Sequence, residues 1–183
     1  EGRAAAEFLA EHAPERDANL PDDLLLDSLL LNNLRLAMQA RAEFPWAAQV
    51  PIDVFHNDVL PYAVFDETRE PWRANLMDRV RPIVAGATTA TEAAQRINRD
   101  LFDQLGVEYN TARSKTNQSP REAIAEGKAT CTGLSILLVS ACRAAGIPAR
   151  AAGVANWADK RGNHTWVEVY DNGTWHFTGA DEF

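Results

Sequence analysis

Two cysteines are the residues of this chain best suited to nucleophilic chemistry, and their surroundings differ. Cys131 begins the apolar stretch "CTGLSILLVSACRAAG", which predicts a helix. The N-terminus of a helix stabilises a thiolate, and its free N–H groups can bind the oxyanion of a tetrahedral intermediate. Cys142 lies among alanines deep in the same stretch and is interpreted as a small hydrophobic residue. Cys131 is therefore the candidate nucleophile, although a packing role stays open for it as well.

The two cysteines are not expected to form a disulfide. On one helix, their separation along the chain places their Cα atoms about 16 Å apart. Bridged Cα atoms lie within roughly 7 Å of each other. We therefore predict two free thiols.

A catalytic thiol needs a base, and the chain has four histidines. His164 begins the alternating segment "HTWVEVYD" after the loop-like "DKRGN", which predicts a position at the edge of a sheet. Asp181 follows the next predicted strand, with Glu182 beside it, and a turn there can return a carboxylate to the imidazole. The order Cys, His, Asp is typical of nucleophilic amide chemistry. A structural role for His164 and a solvated role for Asp181 stay open.

The elements that must position these residues begin with a helical part. Caps, breakers and the spacing of apolar residues predict five helices, over 4–11, 21–44, a short segment within 50–64, 69–86 and 91–105. The second has a predicted buried face of Leu24, Leu31, Leu34 and Met38. The fifth has one of Ala94, Ile97, Leu101 and Leu105.

A short helix, the cysteine helix and a sheet complete the expected fold. "SPREAIAEG" predicts a helix with a capping box between Ser119 and Glu122. The cysteine helix is apolar on several sides and is expected to be central, ending at Gly146. "ARAAGVANW", "HTWVEVYD" and "TWHFTG" predict antiparallel strands, the last two joined by an "NG" hairpin turn. The predicted class is α+β, with the sheet packed on the cysteine helix.

Composition narrows the function classes. The 183 residues suit one domain, and a net charge of −8 with dispersed Lys and Arg argues against a nucleic-acid partner. No apolar run reaches the ~18 residues needed to span a membrane. No secretory signal is apparent, so we expect a soluble domain. The chain begins with Glu rather than Met, so we expect a piece of a longer protein. Its compartment, extracytoplasmic or not, and its oligomeric state stay open.

Three stretches together resemble the transglutaminase-like superfamily, which has a papain-like Cys-His-Asp core. They are "GKATCTGLSILLVSACRAAGIPAR", "NHTWVEVYDNGTW" and the acidic "GADEF", roughly the last third of the chain. The resemblance implies a catalytic core over 111–183 and a helical extension over 1–110, similar to one in bacterial members, within a single domain. It implies Cys131 as nucleophile, His164 as general base and acid, and Asp181 as the orienting acid.

Three features depart from the superfamily pattern. The acid usually stands four residues after the hairpin tryptophan, which here is Gly179, whereas Asp181 is six after Trp175. The residue before the cysteine is usually glycine and here is Thr130. Sheet strands expected beyond Asp181 are absent from this sequence, as in a truncated core.

The expected activity is acyl transfer through a Cys131 thioester on a protein or peptide substrate, without a cofactor. Hydrolysis is the first choice, because water is always present and no calcium-binding loop is evident. The alternatives are a crosslinking transglutaminase and a non-catalytic binding domain. A zinc site of Cys131, His164, His176 and Asp181 is disfavoured, because the chain has no close ligand pair.

Four further side chains are expected near the site, with roles that stay open. Trp157 and Trp166 flank it, and either bind substrate or pack. Asn117 or Gln118 is a candidate side-chain donor for the oxyanion.

Overall fold

Seven α-helices form the largest part of the regular structure in residues 1–182, the part of the chain that the computed structural model describes. They are α1 (Gly2–Glu11), α2 (Asn33–Glu43), α3 (Ile52–Asp58), α4 (Arg73–Val84), α5 (Ala90–Leu105), α6 (Pro120–Glu126) and α7 (Cys131–Ala144). Two 3₁₀ turns, Glu15–Asn19 and Ala47–Gln49, and a π-helical segment, Asp23–Asn32, lie among the first three. None of the helices in this described range is long and apolar enough to cross a membrane.

The strands form two sheets. β1 (Glu108–Tyr109) and β2 (Lys128–Ala129) form a short parallel pair, which the sequence did not predict. β3 (Ala149–Val154), β4 (His164–Asp171) and β5 (Thr174–Thr178) form an antiparallel sheet in the order β3-β4-β5. The predicted hairpin is confirmed, because Asn172 and Gly173 both have positive φ, as a two-residue turn of this kind requires.

Helix α7 lies at the centre of the fold, as its sequence predicts. Every residue from Gly133 to Ala144 is buried. The helix packs against α4, α5 and α6 and against β3 and β4. Val167 and Val169 of β4 are buried in this core, whereas Trp166 and Glu168 lie on the opposite face of the strand. The α+β class with a sheet on the cysteine helix is confirmed.

The helix caps of α5 and α6 lie within one turn of the positions predicted from the sequence. Ser119 and Glu122 form the predicted capping box of α6, and Gly127 ends that helix in the left-handed conformation. Helix α5 begins one residue earlier than predicted, because Thr89 is its N-cap and accepts from the N–H of Glu92.

The predicted helix over 21–44 is partly wrong. Its first half is π-helical, and the i→i+5 hydrogen bonds of a π-helix widen the turn beyond the 3.6-residue period on which the prediction rests. Leu31, predicted to be buried, is 61% exposed, and Leu29 is 1% exposed in its place. The change of period rotates the buried face before α2 begins.

Two buried arginines fix the C-terminal end of α7 to the helical part. Arg73 of α4 donates to the side-chain oxygen of Asn33 at 2.7 Å and to the carbonyls of Arg143 and Val59, each at 2.8 Å. Arg143 of α7 donates to the carbonyl of Ala63 at 2.8 Å. Burial lowers the pKa of Arg73 to about 9 and that of Arg143 to about 10. Carbonyl dipoles therefore replace the water around both cations.

We expect Arg73→Leu to lower the free energy of unfolding by about 3 kcal/mol, because several buried carbonyls lose their donors. Arg79→Leu, on the exposed face of the same helix, is the matched control and should change it by less than about 0.5 kcal/mol. Urea denaturation measures both. Equal stability of the two variants would contradict this role of Arg73.

Candidate active site

Cys131, His164 and Asp181 line one cleft with a volume of about 480 Å³. Its walls are the first turn of α7, the start of β4, the turn after β5 and the segment that follows β1. The structure thus brings together three side chains that are up to 50 residues apart in the sequence. Within residues 1–182, no hydrogen bond joins Cys131 to His164 or His164 to Asp181, so the cleft assembles the candidates without closing a bonded triad.

Helix α7 begins at Cys131, which is partly exposed at the floor of the cleft. The first turn packs closely on its surroundings, because a Cβ at Gly133 would lie 2.9 Å from the Cβ of Ala129 and 3.1 Å from Oε1 of Gln118. The absence of a Cβ at position 133 therefore allows the N-terminus of α7 to pack closely against β2. The backbone N–H groups of this first turn are available at the thiol.

Two hydroxyls join the cysteine helix to the histidine strand. Oγ1 of Thr132 lies 3.1 Å from Oγ1 of Thr165, and the hydroxyl of Ser135 donates to the Thr165 carbonyl at 3.3 Å. Thr132 directly follows Cys131, and Thr165 directly follows His164. This junction therefore fixes the relative position of the two reactive candidates.

The imidazole of His164 lies between two indole rings. Its centroid is 5.6 Å from that of Trp157, with ring planes 24° apart, and 6.1 Å from that of Trp166. A Cβ at Gly153 would lie 2.6 Å from the His164 carbonyl oxygen, so β3 approaches this residue closely only because position 153 is glycine. Both predicted substrate-binding tryptophans thus lie beside the candidate base, although neither is among the residues that line the cleft.

The turn that carries the acids is held by Asn98 of α5, which is buried. Its amide donates to the carbonyls of Gly179 at 2.8 Å and Glu182 at 3.1 Å, and its Oδ1 accepts from the N–H of Asp181 at 2.8 Å. The sequence analysis missed Asn98. The available signal was a polar residue on the buried side of a helix, next to Ile97.

Asp181 has an unusual backbone and an unfavourable charge environment. Its φ is +62°, in the left-handed region. Burial raises the pKa of its carboxyl above the ordinary value of 3.8, and the nearby charges of Asp103 and Glu182 raise it further. Its carboxylate therefore stands near like charges.

Arg113 supplies positive charge to the cleft. Its Nε donates to Oγ1 of Thr130 at 3.1 Å, and a terminal nitrogen donates to Oγ1 of Thr116 at 3.0 Å. The sequence analysis missed this residue too, because nothing in its local pattern marks it.

Both predicted side-chain donors form hydrogen bonds to groups other than the thiol. Asn117 donates to Asp66, and Gln118 is fully buried and donates to the Lys128 carbonyl at 3.1 Å. Both amides are therefore engaged elsewhere.

The positions of the second cysteine and of His176 bear on the remaining candidates. Cys142 is fully buried, and burial raises the pKa of its thiol to about 12. In the described part of the chain, no three His, Cys, Asp or Glu side chains are arranged to hold a metal ion. His176 is not among the residues that line the cleft.

A cysteine-bearing helix packed on an antiparallel sheet, with a histidine at the start of a neighbouring strand, defines a papain-like core. A profile of the transglutaminase-like superfamily matches residues 78–178, more than half of the chain, and the chain belongs to this superfamily. The match crosses the predicted boundary at residue 110, and that division stays a prediction.

Among solved structures, the chain resembles one from Cytophaga hutchinsonii described as a "putative cysteine protease", with a TM-score of 0.56 and 22% sequence identity. The likeness covers 77% of this chain and 47% of that one, so this chain spans about half the length of that protein. The two share a fold. No curated protein matches the chain.

We expect Asn98→Asp to destabilise the protein by about 3 kcal/mol, because a carboxylate keeps the acceptor for Asp181 but loses the donors to two carbonyls. Asn75→Asp, at an exposed position on α4, is the matched control. Urea denaturation measures stability, and amide hydrogen exchange across 179–182 measures order in the turn. Unchanged exchange in Asn98→Asp would contradict this anchoring role.

Asp181→Asn is expected to stabilise the protein slightly at pH 7. Folding raises the pKa of this carboxyl above its ordinary value of 3.8. The folded protein therefore becomes less stable as the pH rises above 3.8 and the carboxyl loses its proton. Asparagine has no charge, so it avoids the cost of an ionised carboxylate at this position, and it tolerates a positive φ. We expect a melting temperature about 1 °C higher at pH 7 and no difference at pH 3. A lower melting temperature at pH 7 would indicate that the Asp181 carboxylate has a favourable partner.

Proposed function

We propose that the chain catalyses thiol-dependent acyl transfer at amide or peptide bonds of a protein or peptide substrate. The observation that carries the proposal is the meeting of Cys131, at a helix N-terminus, and His164, at a strand start, in one cleft. Membership of the transglutaminase-like superfamily supports a thiol-dependent reaction of this class.

In the proposed first half-reaction, the Cys131 sulfur attacks the substrate carbonyl carbon after His164 takes the thiol proton. The oxyanion of the tetrahedral intermediate accepts hydrogen bonds from backbone N–H groups at the start of α7. His164 then gives its proton to the leaving amine, the C–N bond breaks, and a thioester forms.

The second half-reaction depends on the acceptor. Water, deprotonated by His164, attacks the thioester and releases a carboxylic acid and the free thiol. An amine acceptor would instead give a new amide. We propose hydrolysis as the main outcome, because water is always present as an acceptor. Crosslinking stays the alternative.

The proposed roles of the other side chains follow from their contacts. Trp157 is stacked with the His164 imidazole and Trp166 is tilted beside it, and we propose that the two indoles help to hold the imidazole in place. Trp157 is 36% exposed, so its outer face is available to an extended peptide. The proposed orienting acid is one of two neighbouring residues that line the cleft, Asp181, which the resemblance implies, or Glu182.

The proposal predicts that Cys131→Ala abolishes amide cleavage, whereas Cys142→Ala, the same change in the same helix, keeps most of it. Denatured proteins and a peptide library serve as substrates, in H₂¹⁸O with dansylcadaverine present. Mass spectrometry then detects ¹⁸O at new carboxylates for hydrolysis and the dansyl group for transfer.

Cleavage that survives Cys131→Ala would contradict the proposed nucleophile. Dansylation that greatly exceeds ¹⁸O incorporation would favour the crosslinking alternative.

A further inference from the structure

The acid of the proposed triad has two candidates, and the sheet register distinguishes them. β4 and β5 are antiparallel, and the last pair of the ladder is Val167 with Thr178. If this register is continued by one step beyond the ladder, Gly179 falls opposite Trp166, although the bridge partner of Gly179 is Glu182. Directly opposed residues project to the same face, and residues two apart on a strand do so as well. A side chain at position 179 would therefore project onto the face that carries Trp166 and His164.

Position 179 has no side chain, but the space beside it is filled. A Cβ built on Gly179 would collide with the carboxylate of Glu182, whose Cδ would lie 2.9 Å away and whose Cβ 3.0 Å away. The superfamily pattern expects its acid at this same position, four residues after Trp175. The carboxylate of Glu182 thus occupies the volume that a side chain at 179 would enter.

The backbone holds Glu182 in this place. Gly179 and Glu182 form an antiparallel bridge, and the N–H of Glu182 donates to the Gly179 carbonyl at 3.1 Å. The Asn98 amide donates to both carbonyls of this bridge. Glu182 also lines the cleft with His164. The position of the carboxylate is therefore a property of an anchored turn, although the side chain is exposed to solvent.

Asp181 fits the role less well. Its backbone N–H is taken by Asn98. Its carboxyl is close enough to Asp103 of α5 for that charge to act on it, with the Glu182 charge a smaller influence. A carboxylate in the field of a second acid on α5 is less favourable as a charged partner for an imidazolium.

We infer that Glu182, through a carboxylate that fills the place of the missing side chain at Gly179, is the positioning residue that orients His164. The inference rests on the proposed function, in which His164 is the general base. Glu182 would accept a hydrogen bond from one ring nitrogen, leaving the other to exchange a proton with Cys131. The acid would then lie where the superfamily pattern expects it, while its position in the chain moves by three residues.

The test compares Glu182→Gln with Asp181→Asn, two changes that remove one charge each from adjacent residues. The first readout is the ¹⁵N tautomer pattern of the His164 imidazole by NMR, assigned by its loss in His164→Ala. We expect Glu182→Gln to change this pattern and to lower kcat for amide cleavage at least about tenfold. Asp181→Asn should leave the pattern as in the wild type.

A rescue variant separates chemistry from folding. Glu182→Ala removes the carboxylate and frees the space beside residue 179, and Gly179→Asp in that background returns an acid there. We expect the double variant to recover the wild-type tautomer pattern and most of the lost kcat. A change in Asp181→Asn alone, an equal change in both single variants, or no change in either would overturn the inference.

Different results would refute the proposed function and the role of Glu182. Cleavage that persists in His164→Ala would remove the proposed function itself. Loss of cleavage in His164→Ala together with a wild-type tautomer pattern in Glu182→Gln would leave the proposed function standing and refute only the role of Glu182.

Discussion

The junction between the first turn of α7 and the start of β4 is the constraint on which the site depends. The hydroxyls of Thr132 and Ser135 hold the backbone and side chain of Thr165, one residue from each reactive candidate. Glycines allow the close approach on both sides, Gly133 against β2 and Gly153 against the His164 carbonyl. A cysteine helix this apolar would otherwise slide on the sheet, because hydrophobic contacts alone are not directional.

Buried polar contacts elsewhere in the fold fix the C-terminal end of α7 and the turn after β5. At the C-terminal end of α7, the buried cations of Arg73 and Arg143 tie the helix to carbonyls of the helical part. At the far side of the cleft, Asn98 of α5 holds the acidic turn after β5. The candidate cleft is therefore framed by buried polar groups whose partners are mostly backbone atoms. Removing one partner leaves the other buried without a hydrogen bond, which costs stability.

Much of this structure follows from local sequence signals. The capping box at Ser119, the apolar length of α7 and the alternation in β4 each specify one element without help from the remainder. The order of Cys131 and His164, at a helix start and a strand start, was enough to predict that they meet. Such features are local, or depend only on which end of an element a residue occupies.

The parts that the sequence did not predict depend on tertiary contacts. The π-helical turn that buries Leu29 in place of Leu31 is invisible to a 3.6-residue period. Asn98 and Arg113 have roles set by residues far away in the chain. The position of the Glu182 carboxylate over Gly179 requires the turn geometry itself.

Selective alkylation shows whether Cys131 and His164 act as a pair. Iodoacetamide labelling of each thiol is followed by mass spectrometry at pH 6, in the wild type, in His164→Ala and in the matched control His176→Ala. Cys142, buried and with its thiol pKa raised to about 12, is the unreactive internal reference. The account predicts fast labelling of Cys131 that slows at least about tenfold in His164→Ala only. Equal rates at Cys131 in all three proteins would contradict it.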